Sequence, residues 1–211
     1  MGLIAAEPGA DGRLADFRVG GVSFTLPMPD GYCLPVGAQA DVAQVVAAAD
    51  TENVTDLTLT RCGAPIVKGA NDVTIIKTPR KALMVPVTRA ELLTQIGKEF
   101  DNPVTIANAT GDKALGQASK SLTDTFGAKV ALSGTFGPRG KDEMCGYMAG
   151  VMHVESPLAT YDQALAACLT SVGGRMLFIY RSGLKNDDAS ILQLMRETRA
   201  IAQSIKTTGG A

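Results

Sequence analysis

Leu169-Thr170-Ser171-Val172-Gly173-Gly174-Arg175-Met176-Leu177-Phe178-Ile179-Tyr180 is the stretch on which the fold turns. Two apolar runs flank a Gly-Gly pair, and two glycines can supply the positive φ angles that a two-residue hairpin needs. The residues just before them pull the other way, because Asp162-Gln163-Ala164-Leu165-Ala166-Ala167 has good helix propensity. Read as a helix, 161–172 would leave the run after the glycines without a neighbouring strand. Read as a strand, it pairs with its successor and begins an antiparallel sheet. The hairpin signal decides for strand.

Outward from this hairpin, the C-terminal side carries the clearest periodicity in the chain. Ile191, Leu194, Met195, Thr198, Ile201, Ala202 and Ile205 hold one face of a helix; Asp187 and Asp188 stand at its N-terminus, and Gly209-Gly210 lies beyond its end. At the other end of the chain, Phe17-Arg18-Val19 and Val22-Ser23-Phe24-Thr25-Leu26 flank Gly20-Gly21, a second hairpin, closed by Pro27, Pro29 and Asp30-Gly31. Val42, Val45, Val46 and Ala49 give an amphipathic helix ending near Asp50. Leu57 to Cys62 and Asp72 to Thr78 read as strands, with Pro65 and Gly69 in the loop between.

Thr88-Arg89-Ala90-Glu91 is a capping box that opens a helix with Leu92, Leu93, Ile96 and Phe100 inward. A polar loop through Asp101-Asn102-Pro103 and Asn108 to Asp112 is expected next. After it comes a helix with Leu115, Ala118, Ser119, Leu122 and Phe126, stopped at Gly127. Val130 to Phe136, a turn at Gly137-Pro138-Arg139-Gly140 and a β-rich segment over 144–154 complete the pattern as a third hairpin. Hairpins at both ends with two helices between them predict an α+β fold, an antiparallel β-sheet with helices packed on its faces, rather than a βαβ repeat. The expected organisation is a flexible N-terminal tail over residues 1–15 and a single α+β domain over 16–207.

Twenty Lys plus Arg against twenty-one Asp plus Glu leave a net charge of −1, so no basic excess is available to neutralise phosphates and nucleic acid is excluded as the main partner. No apolar run approaches the length of a membrane span. Met1-Gly2-Leu3-Ile4-Ala5-Ala6-Glu7-Pro8 lacks the basic and apolar regions of an intact signal peptide and is expected to be the start of a trimmed mature chain. The four cysteines, Cys33, Cys62, Cys145 and Cys168, form two close pairs. Nearest-neighbour disulfides, Cys33–Cys62 and Cys145–Cys168, are the favoured reading; buried free thiols are the competing one, and the absence of a Cys-x-x-Cys knuckle disfavours zinc. Bridges of this span would each add about 3 kcal/mol and place the protein in the periplasm or outside the cell.

Chemistry-bearing residues are few. His153, the only imidazole, shares a strand face with Glu155, which could orient it as a base; no nucleophile motif accompanies the pair. Met152 and His153, with Met144, Cys145 and Met148 nearby, suggest copper, although strand alternation places Met148 and Met152 opposite His153. Gly134 to Lys141 lacks the second glycine and the Ser or Thr of a phosphate loop. Asp142-Glu143 and Asp187-Asp188 read as turn and cap residues. Tyr32, Tyr147, Tyr161 and Tyr180 are amphipathic rings in a chain without Trp; Tyr32, Tyr147 and Tyr180 are the candidate binding residues. No cofactor is expected.

Two segments also carry a resemblance: Phe24-Thr25-Leu26-Pro27-x-Pro29-x-Gly31-Tyr32-Cys33, and Gly173-Gly174-Arg175-Met176-Leu177-Phe178-Ile179-Tyr180 followed by the long helix. They resemble uncharacterised exported proteobacterial proteins, whose arrangement is similar to the PsbP-like (Mog/PsbP-type) fold, an α/β/α sandwich. The resemblance implies a non-catalytic envelope binding or assembly module, its partner an envelope protein or a small molecule. It carries over no functional residue. The alternatives from the residues themselves are a hydrolase using His153 and Glu155, and a copper- or other metal-handling protein.

Overall fold

The computed structural model describes residues 13–64, 72–110, 112–157 and 159–208. Strands β1 (Leu14–Val19) and β2 (Val22–Pro27) form the first hairpin, with Gly20 and Gly21 both at positive φ, as a two-residue turn requires. β1 begins at Leu14 and buries Ala15, both within the stretch expected to be a tail. Residues 1–12, the loop positions Pro65 and Gly69, and Gly209-Gly210 lie outside the described residues.

The chain then runs through β3 (Tyr32–Cys33), α1 (Ala38–Ala49), β4 (Asn53–Arg61), β5 (Val73–Pro79), α2 (Arg89–Phe100), α3 (Pro103–Thr110) and α4 (Asp112–Phe126). It continues through β6 (Ala131–Gly134), β7 (Gly137–Lys141), β8 (Gly146–Glu155), β9 (Thr160–Val172), β10 (Arg175–Gly183), α5 (Asp188–Ser204) and β11 (Lys206–Thr207). The large sheet has the order β3-β4-β5-β10-β9-β8-β6, with β7 also on β8, and every pair is antiparallel. β11 brings the C-terminal segment back onto β2, completing a three-stranded sheet. The chain is an α+β protein with helices on the faces of an antiparallel sheet, and residues 160–172 are strand, as the Gly173-Gly174 hairpin predicts.

Local signals account for most boundaries. Thr88 and Glu91 form the capping box of α2, Asp187 accepts from the Ser190 amide at the start of α5, and Gly127 takes a left-handed φ just past α4. Two expectations fail. The polar loop after α2 contains helix α3: the Asn102 side chain accepts from the Val104 amide and Pro103 takes the first helical position, where its missing donor costs nothing. Gly137-Pro138-Arg139-Gly140 is not a turn but strand β7. Pro138 sits on the sheet edge, where no ladder donor is required of it, and the reversal comes later. There Asp142 accepts from the Met144 and Cys145 amides, both at 2.8 Å. β6 and β7 are thus two pieces of one broken edge, and Thr135 crosses β8 at Gly150, where a Cβ would lie 2.5 Å from the Thr135 carbonyl oxygen.

The two faces of the large sheet differ. On one, Leu59, Ile76, Leu177, Ile179, Cys168, Ala166 and Ala149 are all buried to 1% exposure or less. α5 covers this face with Ile191, Leu194, Ile201 and Ala202, and the β1–β2 hairpin adds Phe17 stacked on Phe24 at 5.1 Å. The small sheet and the large one therefore share a single core. On the other face lie α1, α2 and α4. Leu92, Leu93 and Ile96 of α2 pack against Leu169 and Met176, and Gln39 of α1 meets the Thr60 hydroxyl. Ser121 of α4 donates to the Ala49 carbonyl, while the Leu132 amide of β6 donates to Ser119. Of the side chains that the central strands turn toward these helices, Ala167 is buried, whereas Ile75, Lys77, Phe178, Tyr180, Leu165 and Met148 are only partly buried.

Candidate functional site

The half-covered face centres on β10. In an antiparallel sheet, residues alternate between faces, so Phe178 and Tyr180 project opposite the fully buried Leu177 and Ile179. Their rings meet edge to face, centroids 6.5 Å apart at 79°. The neighbouring strand β5 places Lys77 beside them, opposite Phe178 in register, with its ammonium 6.0 Å from the Tyr180 ring centroid. That ammonium is paired at 2.6 Å with Asp50, the residue that ends α1 and also accepts from the Asn53 side chain and backbone. Burial pushes the Asp50 carboxyl up, but the Lys77 contact and the Asn53 hydrogen bonds hold it below the usual carboxylate range. Burial, with the nearby Asp50 charge, pushes the Tyr180 hydroxyl up to about 12, so the hydroxyl stays neutral beneath the ring's partly exposed edge. The site is an aromatic and aliphatic surface with one neutralised ion pair at its margin. It suits an apolar or aromatic ligand oriented by a few polar groups.

Tyr32 and Tyr147 are corrected as binding residues: both are buried and act as struts on the opposite face. The Tyr32 hydroxyl donates to Asp72, and the guanidinium carbons of Arg61 and Arg181 lie 4.4 and 4.5 Å from its ring centroid. Arg181 also bonds Asp72 at 2.9 Å and Thr74 at 3.2 Å, and grips Glu197 of α5 through Nε and Nη2. Burial pushes the Asp72 carboxyl up, yet the Tyr32 and Arg61 hydrogen bonds and the Arg181 charge bring it below the ordinary range. The Tyr147 hydroxyl donates to Asp142 at 2.7 Å, and Arg199 of α5 reaches Asp142 at 2.9 Å and Glu143. Burial first and then the partner carboxylate push both tyrosine hydroxyls upward. Tyr161 is half-buried, its hydroxyl pushed up by burial.

His153 and Glu155 both fall on the α5 side of β8, toward its end. The carboxylate that orients the imidazole is Asp162, its partner across the β8–β9 ladder, 2.7 Å from Nδ1, and not Glu155. Glu155 instead lines a shallow depression with Lys129, Ala131, Ser156 and Pro157. Met152 turns to the opposite face from His153, so the two do not converge on one ion. Among the described residues no group of three His, Cys, Asp or Glu is placed to hold a metal. All four cysteines are consumed in the two predicted bridges, Cys33–Cys62 and Cys145–Cys168.

Sequence reasoning missed Lys77, Asp50 and Phe178. Lys77 falls inside the strand expected over Asp72 to Thr78, and its pairing with Asp50 spans 27 residues. The alternation of Phe178 and Tyr180 was legible, but which of the two faces would be left half-covered was not.

No family model matches the chain, and no curated protein matches it. Among solved structures, the chain is similar to the solution structure of cyanobacterial PsbP (CyanoP) from Synechocystis sp. PCC 6803. The two are 14% identical with a TM-score of 0.36, and the match covers 97% of this chain and 99% of that one.

Proposed function

We propose that the protein is a non-catalytic binding or assembly module of the cell envelope, periplasmic or secreted, which takes its ligand on the half-covered sheet face. One observation carries the reading: Phe178 and Tyr180 stand only partly buried in mid-strand on the interior strand β10, while Leu177 and Ile179, which alternate with them, are at 0% exposure on the face behind. A sheet face only partly covered by helices, floored by rings and edged by one ion pair, has the composition of a recognition surface. Two disulfides support an oxidising compartment. The balanced charge supports a partner other than nucleic acid. Its test is a backbone-amide NMR titration with the apolar anion anilinonaphthalene sulfonate as probe. Shifts confined to residues 75–77 and 178–180, and abolished by Tyr180→Ala in a protein of unchanged fold, are expected. Shifts scattered over the surface overturn the assignment.

A second reading, a hydrolase built on His153, is favoured by one feature of the register. Ser133, His153 and Asp162 stand opposite one another on β6, β8 and β9, and the carboxylate is already on Nδ1. Labelling of Ser133 by a fluorophosphonate, lost in His153→Ala, would replace the binding reading with this one.

A further inference from the structure

The two disulfides occupy opposite environments. Cys145 and Cys168 are both at 0% exposure, packed in the shared core under α5 and beside Tyr147. The other bridge lies at the sheet edge, joining the two-residue strand β3 to the end of β4; Cys62 is exposed and Cys33 is half-buried. The guanidinium of Arg13 rests against it, with Nη1 3.3 Å from the Cys33 sulfur and 3.9 Å from the Cys62 sulfur. Arg13 is fixed there by its own backbone, since its carbonyl accepts from the Met28 amide at 2.9 Å.

A cation held nearer one sulfur of an open bridge polarises it. We propose that Cys33–Cys62 is a thiol–disulfide exchange site that takes a dithiol reductant, with Cys62 as the attacked sulfur and Cys33 as the leaving one. The incoming thiolate forms a bond to the exposed Cys62 sulfur as the Cys33–Cys62 bond breaks. The electron pair departs on Cys33 as a thiolate beside the Arg13 guanidinium. A cation at that distance lowers the leaving thiol's pKa, and a better leaving thiolate is expelled faster. The second thiol of the reductant then attacks its own sulfur in the mixed disulfide and expels Cys62. The dithiol ends as a disulfide, having given two electrons, and its two protons pass to the cysteines or to water. Cys145–Cys168 is screened from the same attack by the core, because an incoming thiolate must reach the sulfur along the S–S axis. Opening the exposed bridge leaves β3 held by its short ladder to β4 and by the Tyr32 hydroxyl, so exchange there acts on the segment joining the first hairpin to α1.

The test is stepwise reduction of the native protein with dithiothreitol at neutral pH, quenched with iodoacetamide and mapped by peptide mass. Cys33 and Cys62 are expected to be alkylated at least on the order of tenfold faster than Cys145 and Cys168. Equal rates, or reduction of Cys145–Cys168 first, overturn the site. With the monothiol glutathione, the trapped adduct is expected on Cys62; an adduct mainly on Cys33 overturns the polarity. Arg13→Gln is expected to slow reduction of the exposed bridge about threefold, whereas Arg18→Gln on the same hairpin leaves it unchanged. An unchanged rate in Arg13→Gln removes Arg13 from the proposal, and with it the assignment of Cys33 as leaving group.

Discussion

The face of the sheet that binds α5 carries the same chemical group twice, and the two copies are built in opposite ways. At one, Tyr32, Asp72 and Arg181 come from β3, the lead-in to β5, and β10, with Glu197 of α5 closing the set. At the other, Tyr147, Asp142 and Arg199 come from β8, the turn before it, and α5. Each stands beside a disulfide and pins α5 to the sheet through a guanidinium and a carboxylate. In the first the arginine side chain is 5% exposed; in the second it is 33% exposed. Burial changes what such a cluster is worth. A buried guanidinium is costly to desolvate and cannot lose a partner cheaply, whereas an exposed one is screened by water.

The sharpest way to break this comparison is to remove the buried cation. Arg181→Met takes from Asp72 and Glu197 the cation they share, leaving Asp72 with Arg61 and Tyr32 and Glu197 with Gln193, and loss of one member of a buried charge network costs about 3–5 kcal/mol. Chemical denaturation of the variant is expected to show a loss of that size. A loss below about 1 kcal/mol, the range of exposed pairs, would make the two clusters equivalent and end the contrast.

Asp142 is expected to come next, for a different reason. Its carboxylate satisfies two backbone amides in the turn into β8 as well as Tyr147 and Arg199. Asp142→Ala abandons those amides and should cost about 1–3 kcal/mol. Asp142→Asn keeps an oxygen for them and should cost much less. If Asn is as damaging as Ala, the charge and not the turn is the working part of the exposed cluster.

These clusters also mark the boundary of what could be read beforehand. The Gly20-Gly21 and Gly173-Gly174 hairpins, the Thr88–Glu91 box and the Asp187 cap are written within a few residues of one another, so local stereochemistry makes them legible. Arg181 and Asp72 are 109 residues apart, and Arg199 and Asp142 are 57 apart, and nothing in a periodic pattern announces such pairs. Asn102-Pro103 carried a usable helix-start signal but was taken as a breaker, because Pro ends helices as readily as it opens them. Gly137 to Gly140 was misread because clustered Gly and Pro signal a turn; here the edge position of Pro138 tolerates strand instead. Of the candidate site, Tyr180 was legible as an amphipathic ring, but its partners were not. Its exposure depends on how α1, α2 and α4 settle over the sheet.

A third carboxylate tests the role of the guanidinium by pH. Asp56, at the bulge in β4, is half-buried against the Thr78 hydroxyl at 2.7 Å, and that burial pushes its carboxyl up to about 6 despite the hydrogen bond. Thr78 also lies 3.2 Å from the Met176 carbonyl, and one hydroxyl proton cannot serve both acceptors. Protonated Asp56 resolves this by donating to Thr78, which then donates to Met176. Because its folded pKa is raised, Asp56 stabilises the fold fully below about pH 4, and that contribution is lost as pH rises through about 6. Asp72 and Asp142, held below the ordinary range, behave oppositely: their contribution is present above that range and lost as pH falls through their folded values. Asp56→Asn is therefore expected to raise the melting temperature at pH 7.5 and to flatten its dependence between pH 4 and pH 6. A variant less stable at pH 7.5 would show that the ionised carboxylate is favoured by the fold and that burial does not raise the Asp56 carboxyl.

The smallest expected effect belongs to Arg199, and it is informative because salt can isolate it. Arg199 approaches Asp142 and Glu143 at the surface, and Glu143 is 75% exposed. At an ionic strength near 1 M the screening length shrinks to about 3 Å, so an exposed pair of this kind loses most of its attraction. Arg199→Gln should lower the melting temperature slightly in low salt and hardly at all in high salt. Arg181→Met should cost nearly the same in both, because the Arg181 side chain itself is only 5% exposed. A difference between the two salts that is equal for both variants would mean that water reaches Arg181 as freely as Arg199. The apparent twinning of the clusters would then extend from their chemistry to their energetics.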